Sequence, residues 1–181
     1  MRSRFFTLLA ASAVAISCFL QSGLVQAKTI DGFRVTMLPL PTFDKVSHPD
    51  SVTGRVERLV GDKDNAVDPF YKTPHLRHHN PYIAIFYNAS ATFTFTPGNQ
   101  ISFFWGTPDD FNTISFYSGG KLVGNLLGAD FQKAYGFSEG NRPFPIGHED
   151  MIRIHSGVPF DTVVLSNGST CCFEFSLFRP Y

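Results

Sequence analysis

Apolar and polar residues alternate with a period of two along much of this chain. In Ala91-Thr92-Phe93-Thr94-Phe95-Thr96, the apolar side chains share one face of an extended strand and the threonines share the other. Residues 112–117 repeat the pattern, with Ile114 and Phe116 predicted to face inward. This pattern is typical of half-buried antiparallel strands, so both segments are predicted strands.

Glycine, proline and asparagine mark the turns between strands. Pro97-Gly98 predicts a turn after which residues 101–105 pair back on residues 91–96. Gly119-Gly120 and Asn167-Gly168 predict two-residue hairpin turns, the second between residues 162–165 and 172–178. Further predicted elements are strands at 32–37, 52–60 and 83–87, one short helix at 129–135, and long loops at 39–49 and 61–81.

These elements predict an all-β fold. Eight to ten short strands separated by turns indicate an antiparallel β-sandwich, or a jelly-roll-like arrangement, in a single domain. No internal repeat or low-complexity linker divides the chain.

The N-terminus has the features of an export signal. Arg2 and Arg4 precede an apolar stretch at residues 5–20, and Val25-Gln26-Ala27 fits a signal-peptidase site. Residues 1–27 are therefore predicted to be a signal peptide and residues 28–181 the mature domain, secreted to the periplasm, cell surface or medium. No later apolar run has spanning length, so the mature chain is predicted to have no transmembrane segment. A lipid-anchored form through Cys18 is the disfavoured alternative.

Composition and charge narrow the function classes. The chain is 43% apolar and 17% charged and contains 20 Phe, which excludes intrinsic disorder and coiled coils. Its 15 basic and 15 acidic residues cancel. Loss of Arg2 and Arg4 leaves 13 against 15, a net charge of −2. Generic electrostatic binding to nucleic acid is therefore not expected.

Ser138 lies in a motif that resembles a catalytic nucleophile elbow. The sequence Gly136-Phe137-Ser138-Glu139-Gly140 matches G-x-S-x-G, but that motif needs a strand before the serine and a helix after it. Pro143 and Pro145 follow closely and prevent a regular helix. A surface turn is the better interpretation, and no catalytic residue is predicted.

Two groups of potential metal ligands are weak candidates. Loosely spaced imidazoles and carboxylates occur at His75, His78, His79, His148, Glu149, Asp150 and His155, and oxygen ligands that resemble a calcium loop occur at Asp62, Asp64, Asn65 and Asp68. The first spacing lacks the helical regularity of zinc motifs, and the second lacks the glycine of an EF-hand. Solvated loops explain both groups, so no metal site and no cofactor are predicted.

Cys171 and Cys172 are the only cysteines of the predicted mature chain. Adjacent side chains of an extended strand point to opposite faces, so a bond between them requires a kinked backbone. A disulfide between neighbours and two separate thiols both remain open.

The many aromatic residues suggest carbohydrate binding, because aromatic rings stack on the apolar faces of sugar rings. Trp105 shares the strand parity of Ile101 and Phe103, which favours a core position. Aromatic residues in predicted loops are better candidates for exposed rings: Phe70, Tyr71, Tyr82 and Phe111.

Residues 105–116, Trp-Gly-Thr-Pro-Asp-Asp-Phe-Asn-Thr-Ile-Ser-Phe, resemble the core motif of PEP-CTERM-type exosortase-dependent bacterial surface proteins. The resemblance extends over residues 80–178 and implies a sandwich domain in surface or matrix proteins, with no reaction attached. Thr107 and Phe111 replace the usual Ser and Tyr. The chain ends at Arg179-Pro180-Tyr181 without the sorting signal, so exosortase processing is not expected.

The sequence thus predicts a non-enzymatic envelope or extracellular-matrix protein that associates with polysaccharide or other surface components. The alternative is a lectin-like carbohydrate-binding module, with calcium as a candidate requirement. Candidate ligand-binding residues are Trp105, Asp109, Asp110 and Asn112. A structural role for Asp109 and Asn112, in which they hydrogen-bond their own loop, is the favoured interpretation of the motif.

Overall fold

The computed structural model describes residues 27–39, 47–66, 68–69, 79–106, 108–136 and 150–181. Within these ranges the elements are β1 (Ala27–Ile30), β2 (Phe33–Pro39), β3 (Ser51–Thr53), β4 (Val56–Leu59), β5 (Tyr82–Ile85), β6 (Ser90–Trp105), β7 (Asn112–Ser118), β8 (Lys121–Leu127), α1 (Gly128–Tyr135), β9 (Asp150–Asn167) and β10 (Phe173–Pro180). The predicted all-β antiparallel fold is confirmed, as is the short helix. In the part of the chain that the structure describes, no helix is both long and apolar enough to span a membrane.

Two long strands connect the two layers of the sandwich. The first half of β9 pairs with β2 through residues 150–155, and its second half pairs with β7 through residues 162–167. The 16-residue β6 follows β9 along both halves. The first layer therefore has the order β1-β2-β9-β6-β10-β5-β4, and the second has the order β8-β7-β9-β6-β3.

The Gly119-Gly120 hairpin is confirmed, because these residues join β7 to β8. Their φ angles are +55° and +78°, the left-handed values that a two-residue hairpin requires and that glycine adopts without steric cost.

The other two predicted hairpins are wrong. Pro97-Gly98 lies inside β6, where the register with β9 shifts between Thr94 and Gln100 and the strand passes from one layer to the other. Asn167-Gly168 leads from β9 in the second layer to β10, which pairs with β5 and β6 in the first. Each signal marks a change of direction, but the pairing partner comes from elsewhere in the chain.

Phenylalanine fills the space between the layers. Phe33 of β2 stacks on Phe116 of β7 with ring centroids 4.4 Å apart, and Phe93 of β6 stacks on Phe178 of β10 at 3.9 Å. Each pair joins the two layers. Ile114 and Phe116 are fully buried, as predicted. Burial of side chains of this size stabilises the fold by roughly 1.5–3 kcal/mol each.

The outer face of the first layer is also partly buried. Tyr82, predicted as an exposed loop aromatic, lies in β5 and is inaccessible to solvent. Its side chain belongs to a second apolar cluster with Phe104 and Met151, and its hydroxyl donates to the carbonyl oxygen of Gly61 at 2.9 Å. The prediction failed because loop residues cover this end of the sheet, so β5 is buried on both faces.

Candidate functional site

Asn112 is the centre of a buried hydrogen-bond network. Its Oδ1 accepts from Trp105 Nε1 at 3.2 Å and from the backbone N–H of Asp109 at 3.1 Å. Its Nδ2 donates to Asn167 Oδ1 at 3.2 Å and, more weakly, to the carbonyl oxygen of Cys172 at 3.4 Å. Asn112 has no exposed surface. The side chain thus connects the loop between β6 and β7 to the segment between β9 and β10.

Trp105 is a core residue in this structure, with 1% of its surface exposed. Its indole stacks on Phe173, with centroids 5.1 Å apart and planes inclined by 10°, and packs against Phe131 of α1 at 5.2 Å. Both neighbours occupy the ring surface that a sugar would need. The burial supports the interpretation that Trp105 is structural.

Asp109 and Asp110 lie at the surface end of the same loop. Asp109 is half-buried, and its carbonyl oxygen accepts the backbone N–H of Asn112 at 3.0 Å, which closes the turn. Asp110 is exposed. These are the predicted ligand-binding residues that solvent can reach, and ligand contact at them stays a prediction.

Two glycines allow other segments to pack against this loop. A Cβ at Gly106 would collide with Pro69, so the glycine is needed for the approach of residues 68–69 and not only for the turn. A Cβ at Gly128 would overlap the carbonyl group of Asp109. The helix α1 therefore starts directly against the loop, and Gln132 donates to the carbonyl oxygen of Pro108 at 2.7 Å.

The residues that resemble a calcium loop do not converge. Asp62 accepts the backbone N–H of Asp68 at 2.8 Å, whereas Asp64 forms an ion pair with Arg55. Arg55 and Lys63 also bind Glu57, and their hydrogen bonds lower the pKa of Glu57 to about 2. Among the described residues, no three His, Cys, Asp or Glu side chains are grouped as metal ligands. His75, His78, His148, Glu149 and Ser138 lie outside the described residues.

Buried acidic side chains lie near Tyr82. Asp68 is inaccessible to solvent and Glu174 is 2% exposed. Burial, followed by the nearby charges of Glu174 and Asp68, raises the pKa of the Tyr82 phenol above its ordinary value. The hydroxyl therefore stays protonated as the hydrogen-bond donor to Gly61.

Cys171 and Cys172 have adjacent sulfur atoms, with Cα atoms 3.1 Å apart and a cis peptide bond between them. Cys172 is buried in the outer cluster of the first layer, and Cys171 is half-buried beside it. The structure places the two sulfur atoms next to each other, and the disulfide between neighbours stays a prediction.

Polar side chains occupy the end of the outer face of the first layer that the second apolar cluster does not cover. Strand register places these side chains in two rows of four, which we call the polar grid: Arg34, His155, Gln100 and Tyr181 in one row, and Thr36, Arg153, Ser102 and Arg179 in the other. On the same strands, the alternate residues Val35, Ile101 and Ile154 are buried in the core. Ser102 donates to Tyr181 at 3.3 Å and links the two rows.

The polar grid is not predicted from the sequence. Alternation in Phe33-Arg34-Val35-Thr36-Met37 and in Met151-Ile152-Arg153-Ile154-His155 shows which side chains face away from the core. It does not show that β2 and β9 are neighbours, which depends on pairing across more than 100 residues.

No protein-family model, no curated protein and no solved structure matches this chain.

Proposed function

We propose that this chain is an exported, non-enzymatic protein of the bacterial envelope or extracellular matrix, and that its β-sandwich associates with polysaccharide. Membership of the PEP-CTERM-type surface proteins is part of the proposal and rests on the motif at residues 105–116. The polar grid is the observation on which the proposed binding depends.

The chemistry and shape of the polar grid suit a carbohydrate chain. Amide, hydroxyl and guanidinium groups donate and accept the hydrogen bonds that sugar hydroxyls make. Four strands spaced ~4.8 Å apart give a surface roughly 14 Å across, wider than one sugar ring. Tyr181, with 58% of its surface exposed, offers a ring at the edge.

Export is supported by the N-terminal sequence and is consistent with the adjacent cysteines. Residues 1–27 have the pattern of a signal peptide. A disulfide between the adjacent sulfur atoms of Cys171 and Cys172 would persist in an oxidising compartment and would be rare in the reducing cytosol.

Binding of the mature chain to an array of neutral and acidic glycans, with and without a chelator, tests the proposal. We expect saturable binding that the chelator leaves unchanged, and weaker binding by Gln100→Ala, which removes an amide from the polar grid. Asn125→Ala is the matched control, because it removes an exposed amide of β8 outside the polar grid. Loss of binding with chelator would instead favour the calcium-dependent lectin alternative, and absence of binding to every glycan would contradict the proposal.

A further inference from the structure

The polar grid is strongly asymmetric in charge. Three of its eight positions are arginine and one is histidine, and none is aspartate or glutamate. Arg34 and His155 are exposed and lie directly opposite each other on β2 and β9. The three arginines concentrate positive charge on a mature chain whose predicted net charge, counted with histidine neutral, is −2, so the charge is a local feature of one face.

Three of these basic side chains have no partner within the part of the chain that the structure describes. Arg34, Arg153 and His155 form no ion pair with a described carboxylate. Arg153 is half-buried, and its Nε is buried without a hydrogen-bond acceptor. Arg153 therefore brings a positive charge without a described counter-charge to the polar grid, and an anion that contacts the accessible part of its guanidinium group would balance that charge.

We propose that the polar grid binds the carboxylates of an acidic, uronate-containing polysaccharide, with Arg153 and Arg34 as the principal carboxylate-binding residues. The inference depends on the proposed polysaccharide association and specifies its ligand class. A guanidinium group binds a carboxylate through two parallel N–H donors, a geometry that lysine cannot provide.

The spacing of the arginines fits an anion that repeats along a chain. Arg34 and Arg153 are diagonal neighbours across β2 and β9, which places their Cα atoms roughly 7–8 Å apart. Arg153 and Arg179 are both aligned with Ser102 from opposite sides, so their strands lie ~10 Å apart. One carboxylate could meet Arg34 and Arg153, and a later carboxylate of the same chain would lie near Arg179.

Other polyanions fit this face less well. Single-stranded nucleic acid is bound by several aromatic side chains that stack on successive bases, whereas Tyr181 is the one aromatic residue among the eight. A membrane surface is bound by apolar side chains that enter the lipid, and no grid position is aliphatic. The regular placement of hydrogen-bonding groups around the arginines favours a hydroxylated, carboxylated chain.

The test compares polygalacturonate with the same polymer after methyl esterification, which removes the charges and keeps the sugar backbone. Calorimetric titration of the mature chain should give tighter binding to the acid form, weakened by added salt. We expect Arg153→Gln and Arg34→Gln each to weaken polygalacturonate binding several-fold, and the double variant to weaken it about tenfold or more. Binding to the esterified polymer should change little.

Two control variants and a folding measurement separate the effect of losing a charge from the effect of losing the folded structure. Lys121→Gln removes an exposed cation from the β7–β8 hairpin, far from the polar grid in the sheet, and should bind as the wild type does. Arg34→Lys keeps the charge and loses the paired donors, so its affinity should fall between those of the wild type and Arg34→Gln. Circular dichroism verifies that each variant is folded, and the exposed Arg34 provides a test if Arg153→Gln does not fold.

The outcomes distinguish the inference from the function on which it depends. Equal binding of acidic and esterified polymer, unaffected by the arginine variants, would overturn the inference and leave the polysaccharide association standing. Failure to bind either polymer, together with no binding to any glycan on the array, would overturn both the inference and the proposed polysaccharide association. Equally tight binding to single-stranded DNA or to vesicles of phosphatidylglycerol would also overturn the inference, because the surface would then respond to negative charge alone.

Discussion

The indole Nε1 of Trp105 donates a hydrogen bond to Oδ1 of Asn112 across 3.2 Å, inside a core that excludes water from both. They are seven positions apart in the sequence, and the bond closes the loop that carries the sequence's most distinctive motif. A buried indole N–H must find an acceptor, and here the acceptor is an amide that also binds the backbone of that loop. The motif is therefore explained by folding, without a ligand.

Replacement of Asn112 by alanine should destabilise the domain by about 2–4 kcal/mol. The substitution leaves Trp105 Nε1 and Asn167 Oδ1 buried without their present partner, and it opens a small cavity. Urea unfolding, followed by the fluorescence of the single tryptophan, measures the change. Asp110→Ala, at an exposed position of the same loop, should change stability by less than about 0.5 kcal/mol. Equal stability of the two variants would contradict the structural role of Asn112.

Gly128→Ala should destabilise the domain by about 2–3 kcal/mol, because the added methyl group overlaps the carbonyl of Asp109 and the backbone must move. Gly157→Ala is the matched control, since a Cβ there meets nothing within 4 Å. Thermal unfolding of both variants measures the difference. Similar melting temperatures for the two would show that α1 does not start against the loop.

Asp161 should give the β7–β8 hairpin a pH-dependent contribution to stability. Its carboxylate accepts the backbone N–H of Gly119 at 2.7 Å and the hydroxyl of Thr162 at 2.8 Å, and these bonds lower its pKa below the ordinary 3.8. A depressed pKa in the folded state adds stability that is present above the unfolded value and is lost as pH falls through the folded value.

Urea unfolding at several pH values tests this contribution. Asp161→Asn should be less stable than the wild type near neutral pH, and the difference in free energy of unfolding should shrink as the pH falls below 3.8. Lys121→Gln, on the same hairpin, should keep the pH dependence of the wild type. If the difference in free energy of unfolding between the wild type and Asp161→Asn does not change with pH, the carboxylate charge of Asp161 contributes no stability to the hairpin.

Turn signals in the sequence predicted the strand pairing correctly where the paired strands follow each other in the chain. Gly119-Gly120 predicted its hairpin because the two strands that it joins are the ones that pair. Pro97-Gly98 carries an equally strong turn signal, yet its partners are residues 155–160 of β9 and the C-terminal Tyr181, whose main-chain oxygen lies where a Cβ of Gly98 would be. A turn signal fixes a change of direction but not the neighbouring strand.

The same difference between short-range and long-range contacts applies to the candidate sites. The bond from Asn112 to its own loop was predicted, because three residues separate the groups. Its bonds to Asn167 and Cys172 span 55 and 60 residues and require the finished fold. The polar grid depends entirely on long-range register, so alternation in the sequence shows only that each arginine faces away from the core.

The most direct test of the account is to map backbone amide shifts by nuclear magnetic resonance as polygalacturonate is added to residues 28–181, the predicted mature domain. We predict that the largest shifts occur on the polar grid, at residues 34–36, 100–102 and 153–155, and that residues 108–112 stay unchanged. Shifts confined to residues 108–112 would contradict the account, because the motif around Trp105 would then be the binding site.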